Sequence, residues 1–442
     1  MAARPRVGLL LVYGDDDRCT LKDVAGGFGT RFSIGRSPGA RLLEYAKKRI
    51  VHLPPITVAY LVALFEQRGW EVVLGDGGPA TPRCDLFLVH SSIVDCAAER
   101  AAMRDLRARF PRARVGVFGT FASMVPDFYD GAADFLVKGE VEAAVDRIAA
   151  DYATLAGTLD AGFLKDADAL PYPAWDHFPY DTYRYSIITT KGITLPMLSA
   201  RGCAYACGYC PYTVNARFRE RTVEGVVDEI YYDVHRYGAH GISFRDPLFN
   251  LRAERIAGIA EEILLRELDV RFSIEARTDR LTPELVRLLH RAGLRSIEVG
   301  IDSVDVELVR RNRRKPPALE QQERIIDACH RAGVRVIANF CLGLPGDSAE
   351  TIRRTIDYAK RLNTFAIQFT VSTPYPGTKL FHDVKADIFD WDYEHWNGWT
   401  NVYRHPNLSP EALHALREEA YVDYHFRPAY AARFLQQTLL SR

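Results

Sequence analysis

The segment Arg201-Gly-Cys203-Ala-Tyr-Ala-Cys207-Gly-Tyr-Cys210-Pro decides how this chain is interpreted. It directly follows the apolar run Thr194–Ala200, which has the pattern of a buried strand. Three thiolates on a loop at the end of a strand can converge on one soft metal site. A structural zinc site normally closes with four ligands, and no fourth Cys or His lies nearby. We therefore predict that Cys203, Cys207 and Cys210 hold an iron–sulfur cluster with one iron left open; packed cysteines, or zinc with a distant fourth ligand, are the alternatives.

Further apolar runs follow that strand, and helical stretches with amphipathic spacing separate them. Consecutive βα units of this kind are typical of a partial (β/α)6 barrel. Chemistry in such barrels lies at the C-terminal ends of the strands, which is where the cysteine loop falls. The predicted strands are Thr194–Ala200, Gly241–Arg245, Arg271–Glu275, Ser296–Ile301, Val334–Leu342 and Ala366–Ser372.

An earlier alternation of apolar runs and helical stretches occupies roughly the first 150 residues. This rhythm predicts a doubly wound, Rossmann-like parallel sheet whose ligand lies beyond the C-terminal strand ends. Residues 14–54 separate the first strand from its helix without a clear period, and loops of that length are usually functional or disordered. The predicted strands are Val7–Tyr13, Glu71–Leu74, Asp85–His90, Val115–Gly119 and Phe135–Lys138.

Composition marks the boundaries between these parts. The Pro- and aromatic-rich stretch Leu170–Trp175 lies between the two alternating series and is typical of a linker. After about Lys385 the chain is dense in Trp, Tyr and His and ends in helical stretches, which predicts a small helical cap. The predicted α/β architecture is a Rossmann-like domain at 1–155, a linker at 156–190, a partial barrel at 191–384 and a C-terminal cap at 385–442.

The charge balance argues against a polyanionic partner. Formal net charge is zero and the pI is about 7.2, which leaves no broad electrostatic footprint for nucleic acid or an anionic membrane. No apolar run reaches the roughly 18–20 residues that span a bilayer, and no secretory signal precedes the first strand. We expect a cytoplasmic protein with a small-molecule substrate and no nucleic-acid or membrane partner.

The spacing C-x₃-C-x-aromatic-C, with Tyr209 as the aromatic residue, resembles the signature of radical S-adenosylmethionine (radical SAM) enzymes. The resemblance implies a 4Fe-4S cluster whose open iron binds the amino and carboxylate groups of S-adenosylmethionine. One electron then cleaves the sulfonium, and the resulting 5′-deoxyadenosyl radical takes a hydrogen from the substrate. The resemblance also implies an electron donor such as flavodoxin or ferredoxin.

Other segments resemble this family in the same order along the barrel, each near a predicted strand end. Asp246 stands where the family contacts the methionine amino group, and Arg277 where a cosubstrate-binding arginine lies. The segment Glu298-Val-Gly-Ile-Asp302-Ser303 is similar to the family's glycine–isoleucine–glutamate–serine sequence, and Gly343 begins a turn that resembles its adenine-side turn. The cofactor-binding residues that the resemblance implies are Tyr209, Asp246, Arg277, Glu298, Ser303 and Gly343.

The first domain resembles the cobalamin-binding domain of one branch of the family. The usual Asp-x-His-x-x-Gly signature after the first strand is absent, because the sequence there reads Tyr13-Gly-Asp-Asp-Asp-Arg18-Cys19 and offers no histidine to a cobalt ion. Some members bind cobalamin without that histidine. The missing histidine nevertheless tilts our expectation away from a bound cobalamin.

Within the family, the chain looks most like the radical diol dehydratases of aminoglycoside (apramycin-type) antibiotic biosynthesis. That resemblance implies dehydration of a 1,2-diol in an amino-sugar precursor such as paromamine, and a partner dehydrogenase that reduces the ketone product. Such chemistry needs a general base and a general acid, and Glu275 and Asp246 are the carboxylates that the sequence places best. The alternatives are a cobalamin-dependent radical C-methyltransferase in natural-product biosynthesis and a non-catalytic cobalamin or metal sensor.

Overall fold

A six-stranded parallel sheet forms the first domain. The computed structural model describes residues 4–14, 20–214 and 217–439. The strands are β1 Arg6–Leu10, β2 Glu71–Gly75, β3 Leu86–His90, β4 Arg114–Phe118, β5 Phe135–Gly139 and β6 Gly157–Gly162. They lie in the order β2-β1-β3-β4-β5-β6, so the order reverses between β1 and β3. The predicted doubly wound sheet is confirmed, and β6 adds to it a strand that falls within the predicted linker.

The helices of this domain are α1 Pro38–Ile50, α2 Ile56–Gln67, α3 Cys96–Arg109, α4 Thr120–Met124 and α5 Val145–Asp151. Helix α1 lies inside the long segment that showed no period. Ser37 begins it, because its side chain accepts a hydrogen bond from the backbone N–H of Ala40. Leu42 and Tyr45 are 57% and 56% exposed, so part of the apolar surface of this helix is left uncovered.

The second sheet is the barrel, with six parallel strands in sequential order. Its strands are β7 Ile193–Met197, β8 Ala239–Phe244, β9 Arg271–Ala276, β10 Leu294–Asp302, β11 Arg335–Leu342 and β12 Ala366–Val371. Its helices are α6 Val223–Tyr237, α7 Ala253–Leu265, α8 Pro283–Arg291, α9 Val306–Arg311, α10 Leu319–Ala332 and α11 Ala349–Leu362. The predicted partial (β/α)6 barrel is confirmed.

The tail packs on the barrel through aromatic side chains. Its helices are α12 Lys379–Val384, α13 Pro410–His425 and α14 Pro428–Leu439. Trp396 and Trp399 are 0% and 1% exposed, and the backbone N–H of Phe369 in β12 donates to the Tyr421 hydroxyl at 3.0 Å. The tail aromatics therefore belong largely to the core. In the described part of the chain, no helix combines the length and apolar character needed to cross a membrane.

The segment between β1 and α1 connects the first sheet to the cysteine loop. Thr20–Leu21 and Thr30–Arg31 form a small antiparallel hairpin. Between its strands, Gly26 lies against the carbonyl oxygen of Pro211 with a φ of +67°, and a β-carbon added there would come within 2.5 Å of that oxygen. Only glycine fits such a position. The first domain therefore lies directly against the loop that carries the three cysteines.

Candidate active site

Polar side chains fill the barrel interior at alternate positions of neighbouring strands. Ser243 and Ser273 are in register on β8 and β9, and their hydroxyl oxygens lie 3.4 Å apart. Two residues closer to the C-terminal rim are Arg245, just after β8, and Glu275 on β9. Glu298 on β10 is in register with Glu275. Because side chains alternate along a strand, Arg245 and Glu275 face the same interior as the serines.

Glu275 and Glu298 form a carboxylate pair in this interior. Burial, together with the charge of Glu298, raises the pKa of Glu275 to about 8. The hydroxyl of Tyr185 donates to Oε1 of Glu298 at 2.9 Å, which fixes the orientation of that carboxyl group. Glu275 can therefore keep its proton near neutral pH and act as an acid, and the oxygens of Glu298 on the neighbouring strand can accept a proton from a bound molecule.

A carboxylate from the first domain reaches the same interior. Oδ1 of Asp23 lies 3.7 Å from Nη2 of Arg245, and both side chains are mostly buried. Tyr212, which follows the cysteine loop, is an electrostatic neighbour of Glu275 and Asp23. Burial holds the pKa of Tyr212 well above its ordinary value, so its hydroxyl stays protonated. Asp23 and Tyr212 therefore line the interior beside the carboxylate pair.

The three cysteines share one loop, between the short strand Ala200–Arg201 and the 3₁₀ turn Pro211–Thr213. Cys207 is buried and Cys203 and Cys210 are partly exposed, and all three thiols are free. Burial raises the pKa of Cys210, and the neighbouring thiols of Cys207 and Cys203 raise it further, so the three lie within electrostatic range of one another. Within residues 4–14, 20–214 and 217–439, no group of three or more His, Cys, Asp or Glu side chains is arranged to hold a single metal ion. Three thiolates on one loop fit a 4Fe-4S cluster with one iron open to another ligand.

A buried cation, Arg314, lies beside this loop. Its Nε is 2.5 Å from Oδ2 of Asp302, the last residue of β10. Its side chain is 13% exposed, and its charge opposes the rise that burial causes in the pKa of the Cys207 thiol. A cation next to thiolate ligands stabilises their charged form, and hydrogen bonds to cluster sulfurs set the reduction potential. Arg314 is therefore placed to tune the cluster.

Unsatisfied and cationic groups around the loop fit the zwitterionic cosubstrate. The hydroxyl of Tyr209 is buried and has no hydrogen-bond partner in the part of the chain that the structure describes. An unpaired buried hydroxyl costs free energy, so such a group marks where a polar ligand atom is expected. Arg277 lies over the ring of Tyr205 in the loop, 4.4 Å from its centre, and pairs with Asp279 at 2.8 Å. Tyr209 and Arg277 thus present polar groups near the cysteines.

Asp246 lies close to this interior but uses its carboxylate within the protein. It is 0% exposed, and its two oxygens accept hydrogen bonds from the backbone N–H and the hydroxyl of Ser199. Burial raises its pKa to about 6, and those hydrogen bonds oppose the rise. Glu275 is in register with Glu298, and Asp246 is a further electrostatic neighbour of Glu275. The assignment of Asp246 as an acid or base stays a prediction.

Two other predicted residues also have partners within the chain. The Ser303 hydroxyl contacts the Thr355 hydroxyl at 3.2 Å. The backbone N–H of Gly343 donates to Asp347 at 3.0 Å, and its carbonyl accepts from the Tyr403 hydroxyl at 2.7 Å. Any contact of Ser303 or Gly343 with a cofactor would compete with these hydrogen bonds.

Lys22 fills the crevice at the reversal point of the first sheet, where doubly wound sheets bind their ligands. Its Nζ lies 5.0 Å from the centre of the Tyr13 ring, which follows β1, and 3.2 Å from the hydroxyl of Ser92, which follows β3. The side chain is 0% exposed and pairs with Glu99 at 2.5 Å and Asp95 at 3.2 Å. Asp95 also pairs with Arg31 at 2.7 Å. The crevice is thus filled by a charge-balanced cluster of the chain itself.

The space between the sheet edge and the cysteine loop is occupied as well. Phe28 is 0% exposed, and its carbonyl accepts from the backbone N–H of Ile93 at 2.7 Å. The Phe28 ring lies 5.1 Å from the Tyr375 ring of the barrel. Phe28 and Lys22 thus place side chains of the chain itself between this edge of the sheet and the barrel. Residues 15–19, where the cobalamin signature is missing, lie outside the described residues.

Sequence reasoning did not find several residues of this site. Arg245 and Tyr212 each lie within two residues of a predicted site residue, so their positions in the sequence could have indicated that they belong to the site. Asp23, Tyr185 and Arg314 come from loops with no strand pattern, and only the folded chain brings them to the barrel.

Residues 197–359 match the Radical SAM superfamily. This range includes the cysteine loop, the carboxylate pair and Arg314. The barrel is a radical SAM domain. That assignment implies the 4Fe-4S cluster and S-adenosylmethionine expected from the cysteine spacing.

Known proteins resemble this chain beyond the radical SAM domain. The anaerobic magnesium-protoporphyrin IX monomethyl ester cyclase of Rubrivivax gelatinosus is 27% identical over 405 residues, covering 81% of this chain and 70% of the cyclase. An uncharacterised methyltransferase of Pyrococcus horikoshii is 24% identical over 270 residues, covering 60% of this chain but only 58% of that protein. The structure of the methyltransferase TsrM of Kitasatospora setae with cobalamin and a [4Fe-4S] cluster has a TM-score of 0.64 at 16% identity, covering 98% of this chain and 90% of TsrM. That likeness shows the shared two-domain fold.

Proposed function

We propose that the chain is a radical SAM dehydratase that removes water from a vicinal diol without cobalamin. The observation that carries the proposal is the register pair Glu275–Glu298 inside the barrel. Elimination of water needs a base at one hydroxyl and an acid at the next, and two carboxyl groups on neighbouring strands can supply both. The filled crevice at Lys22 supports the omission of cobalamin.

The residues would divide the proton transfers as follows. When bound, the cluster and S-adenosylmethionine supply a carbon radical that takes hydrogen from a carbinol carbon of the substrate. Glu298, oriented by the hydroxyl of Tyr185, would accept the proton of that carbinol hydroxyl. Glu275, whose pKa is about 8, would donate its proton to the neighbouring hydroxyl, which leaves as water. A further electron and proton complete the deoxy-ketone, so each turnover consumes one S-adenosylmethionine, two electrons and one net proton.

The charge of the interior supports an amine-bearing substrate. Asp23, Glu275 and Glu298 face one cation, Arg245, in a largely buried space. Excess buried negative charge is costly unless a cation balances it. Ammonium groups of an amino-sugar precursor such as paromamine would provide that balance.

The second candidate function is a cobalamin-dependent radical SAM methyltransferase. The names of relatives favour it, since methyltransferases and cyclases are among the proteins that this chain resembles. Methyl transfer of that type requires a cobalamin next to the radical SAM site. The buried Lys22 and Phe28 occupy the corresponding space, and for that reason we place dehydration first.

Anaerobic turnover tests the choice between the two. The reconstituted enzyme is given S-adenosylmethionine, reductant and paromamine, with and without hydroxocobalamin. Dehydration predicts substrate-dependent formation of 5′-deoxyadenosine at the same rate in both reactions. A rate that depends on added cobalamin would support the methyltransferase instead, and the absence of 5′-deoxyadenosine in both would contradict both proposals.

A further inference from the structure

A strongly basic loop lies next to the cysteine loop. Residues 310–315 read Arg-Arg-Asn-Arg-Arg-Lys and join α9 to α10, in a chain whose formal net charge is zero. We propose that this loop is the docking surface for an acidic protein that carries a low-potential one-electron centre and reduces the cluster. The inference rests on the cluster in the proposed function, and not on which reaction follows its reduction.

The basic loop is joined to the cysteine loop through the backbone. The N–H of Gly208, next to Cys207, donates to the carbonyl of Asn312 at 3.0 Å. The carbonyl of Gly208 in turn accepts from the N–H of Leu380 at 2.9 Å. On its inner side, Arg314 of this loop pairs with Asp302, the last residue of β10. A protein seated on this loop would therefore lie beside the cysteine ligands.

The outer side of the loop is open to a partner. Arg310, Arg311, Arg313 and Lys315 are exposed, while Arg314 is mostly buried. The side chains of Arg313 and Lys315 form no ion pair with any residue that the structure describes. Their charge is therefore not used within the described fold.

The cysteine loop itself reaches the surface beside these cations. Ala204 and Ala206 lie between Cys203 and Cys207 in the sequence, and both are exposed. Methyl side chains at these points leave little protein between the cysteines and a docked partner. A donor can approach the cluster closely there, as one-electron transfer between proteins requires.

The stability of the fold does not explain why so many cations are grouped on this loop. The Arg310–Glu307 pair is 63% and 69% exposed, and such surface pairs contribute little. Like charges on one short loop repel each other, whereas a concentrated patch attracts an acidic protein and speeds association at low ionic strength. Small acidic electron carriers such as flavodoxin have the matching chemistry, which makes this surface the natural entry point for electrons.

Stopped-flow reduction of the cluster tests the proposal without any substrate. The variant Arg310→Gln/Arg311→Gln/Arg313→Gln is compared with Arg104→Gln/Arg112→Gln/Arg147→Gln, which removes the same charge from exposed positions of the first domain. We expect the loop variant to be reduced by flavodoxin hydroquinone about ten-fold or more slowly at low salt, because electrostatic steering of association has at least that size. Reduced methyl viologen, a small cation, should reduce both variants at the parent rate.

Three results would overturn the proposal. An unchanged rate with flavodoxin, or an equal loss in the first-domain variant, would overturn the proposal. An equal loss with flavodoxin and methyl viologen would assign the loop to holding the cluster and would overturn it too. The single change Arg313→Glu, at an exposed side chain, gives a second test in which folding is not in question. Failure of the dehydration proposal would leave these reduction rates untouched.

Discussion

Lys22 and Glu99 form a buried ion pair, with Nζ 2.5 Å from Oε1, at the point where the first sheet would receive a ligand. Asp95 and Arg31 complete the cluster with a second pair at 2.7 Å. Charges taken out of water must be paired closely, and this set balances two cations with two anions. The crevice that would hold a cofactor in such a domain has become part of the core.

Removal of Lys22 is expected to destabilise the first domain. In Lys22→Met, Glu99 would lose its nearest cation. Because Lys22 opposes the effect of burial, the pKa of Glu99 would rise further, and one buried charge would be left without its partner. Breaking a buried pair from one side costs about 3–5 kcal/mol. Thermal unfolding measures the change, with Lys165→Met at an exposed position as the control. A Lys22→Met protein as stable as the control would show that the crevice does not depend on this pair.

The features of this structure that can be predicted from the sequence are those that have a local sequence pattern. The cysteine spacing and the six apolar runs are local patterns, and both sheets follow from them. Helix α1 was not predicted, because it lies within a long segment rich in Gly, Asp and Arg that shows no clear period as a whole. Asp23 and Arg314 reach the site only through long-range folding, so no window of sequence contains them with their partners.

Glu275→Gln is expected to separate radical formation from product formation. The amide cannot donate the proton that the leaving hydroxyl needs, so product formation should fall about 10²–10⁴-fold. Formation of 5′-deoxyadenosine should persist, because the cysteines and Arg314 are untouched. The measurement is the ratio of deoxy-ketone to 5′-deoxyadenosine, with the exposed Glu284→Gln as the control. An unchanged ratio in Glu275→Gln would remove this residue from the proton transfers.

The pH dependence follows from the direction of the Glu275 shift. Burial and Glu298 raise its pKa to about 8, so the carboxyl stays protonated below that pH and loses its proton above it. Product formation should therefore decline as pH rises through about 8. Glu298→Gln removes a neighbouring charge and should move the titration of Glu275 to lower pH, which difference infrared spectroscopy of the carboxyl can follow. A titration that stays in place in this variant would contradict the coupling of the pair.

Arg314 is expected to raise the reduction potential of the cluster. In Arg314→Met a positive charge is lost beside Cys207, and Asp302 is left without its partner. At a separation of roughly 8 Å and an effective dielectric near 20, one charge is worth about 2 kcal/mol, on the order of 90 mV for one electron. Redox titration followed by electron paramagnetic resonance should show a more negative midpoint. Arg314→Lys, which keeps the charge, should return most of the difference; equal midpoints in all three proteins would contradict the role.

The central claim is dehydration without cobalamin, and deuterium transfer tests it most directly. Paromamine deuterated at its carbinol carbons is incubated anaerobically with reconstituted enzyme, S-adenosylmethionine and reductant, with cobalamin omitted. The account predicts deuterium in 5′-deoxyadenosine together with a product that has lost one water and has exchanged one deuterium for a solvent hydrogen. A product heavier by one methylene, formed only when cobalamin is added, would contradict it.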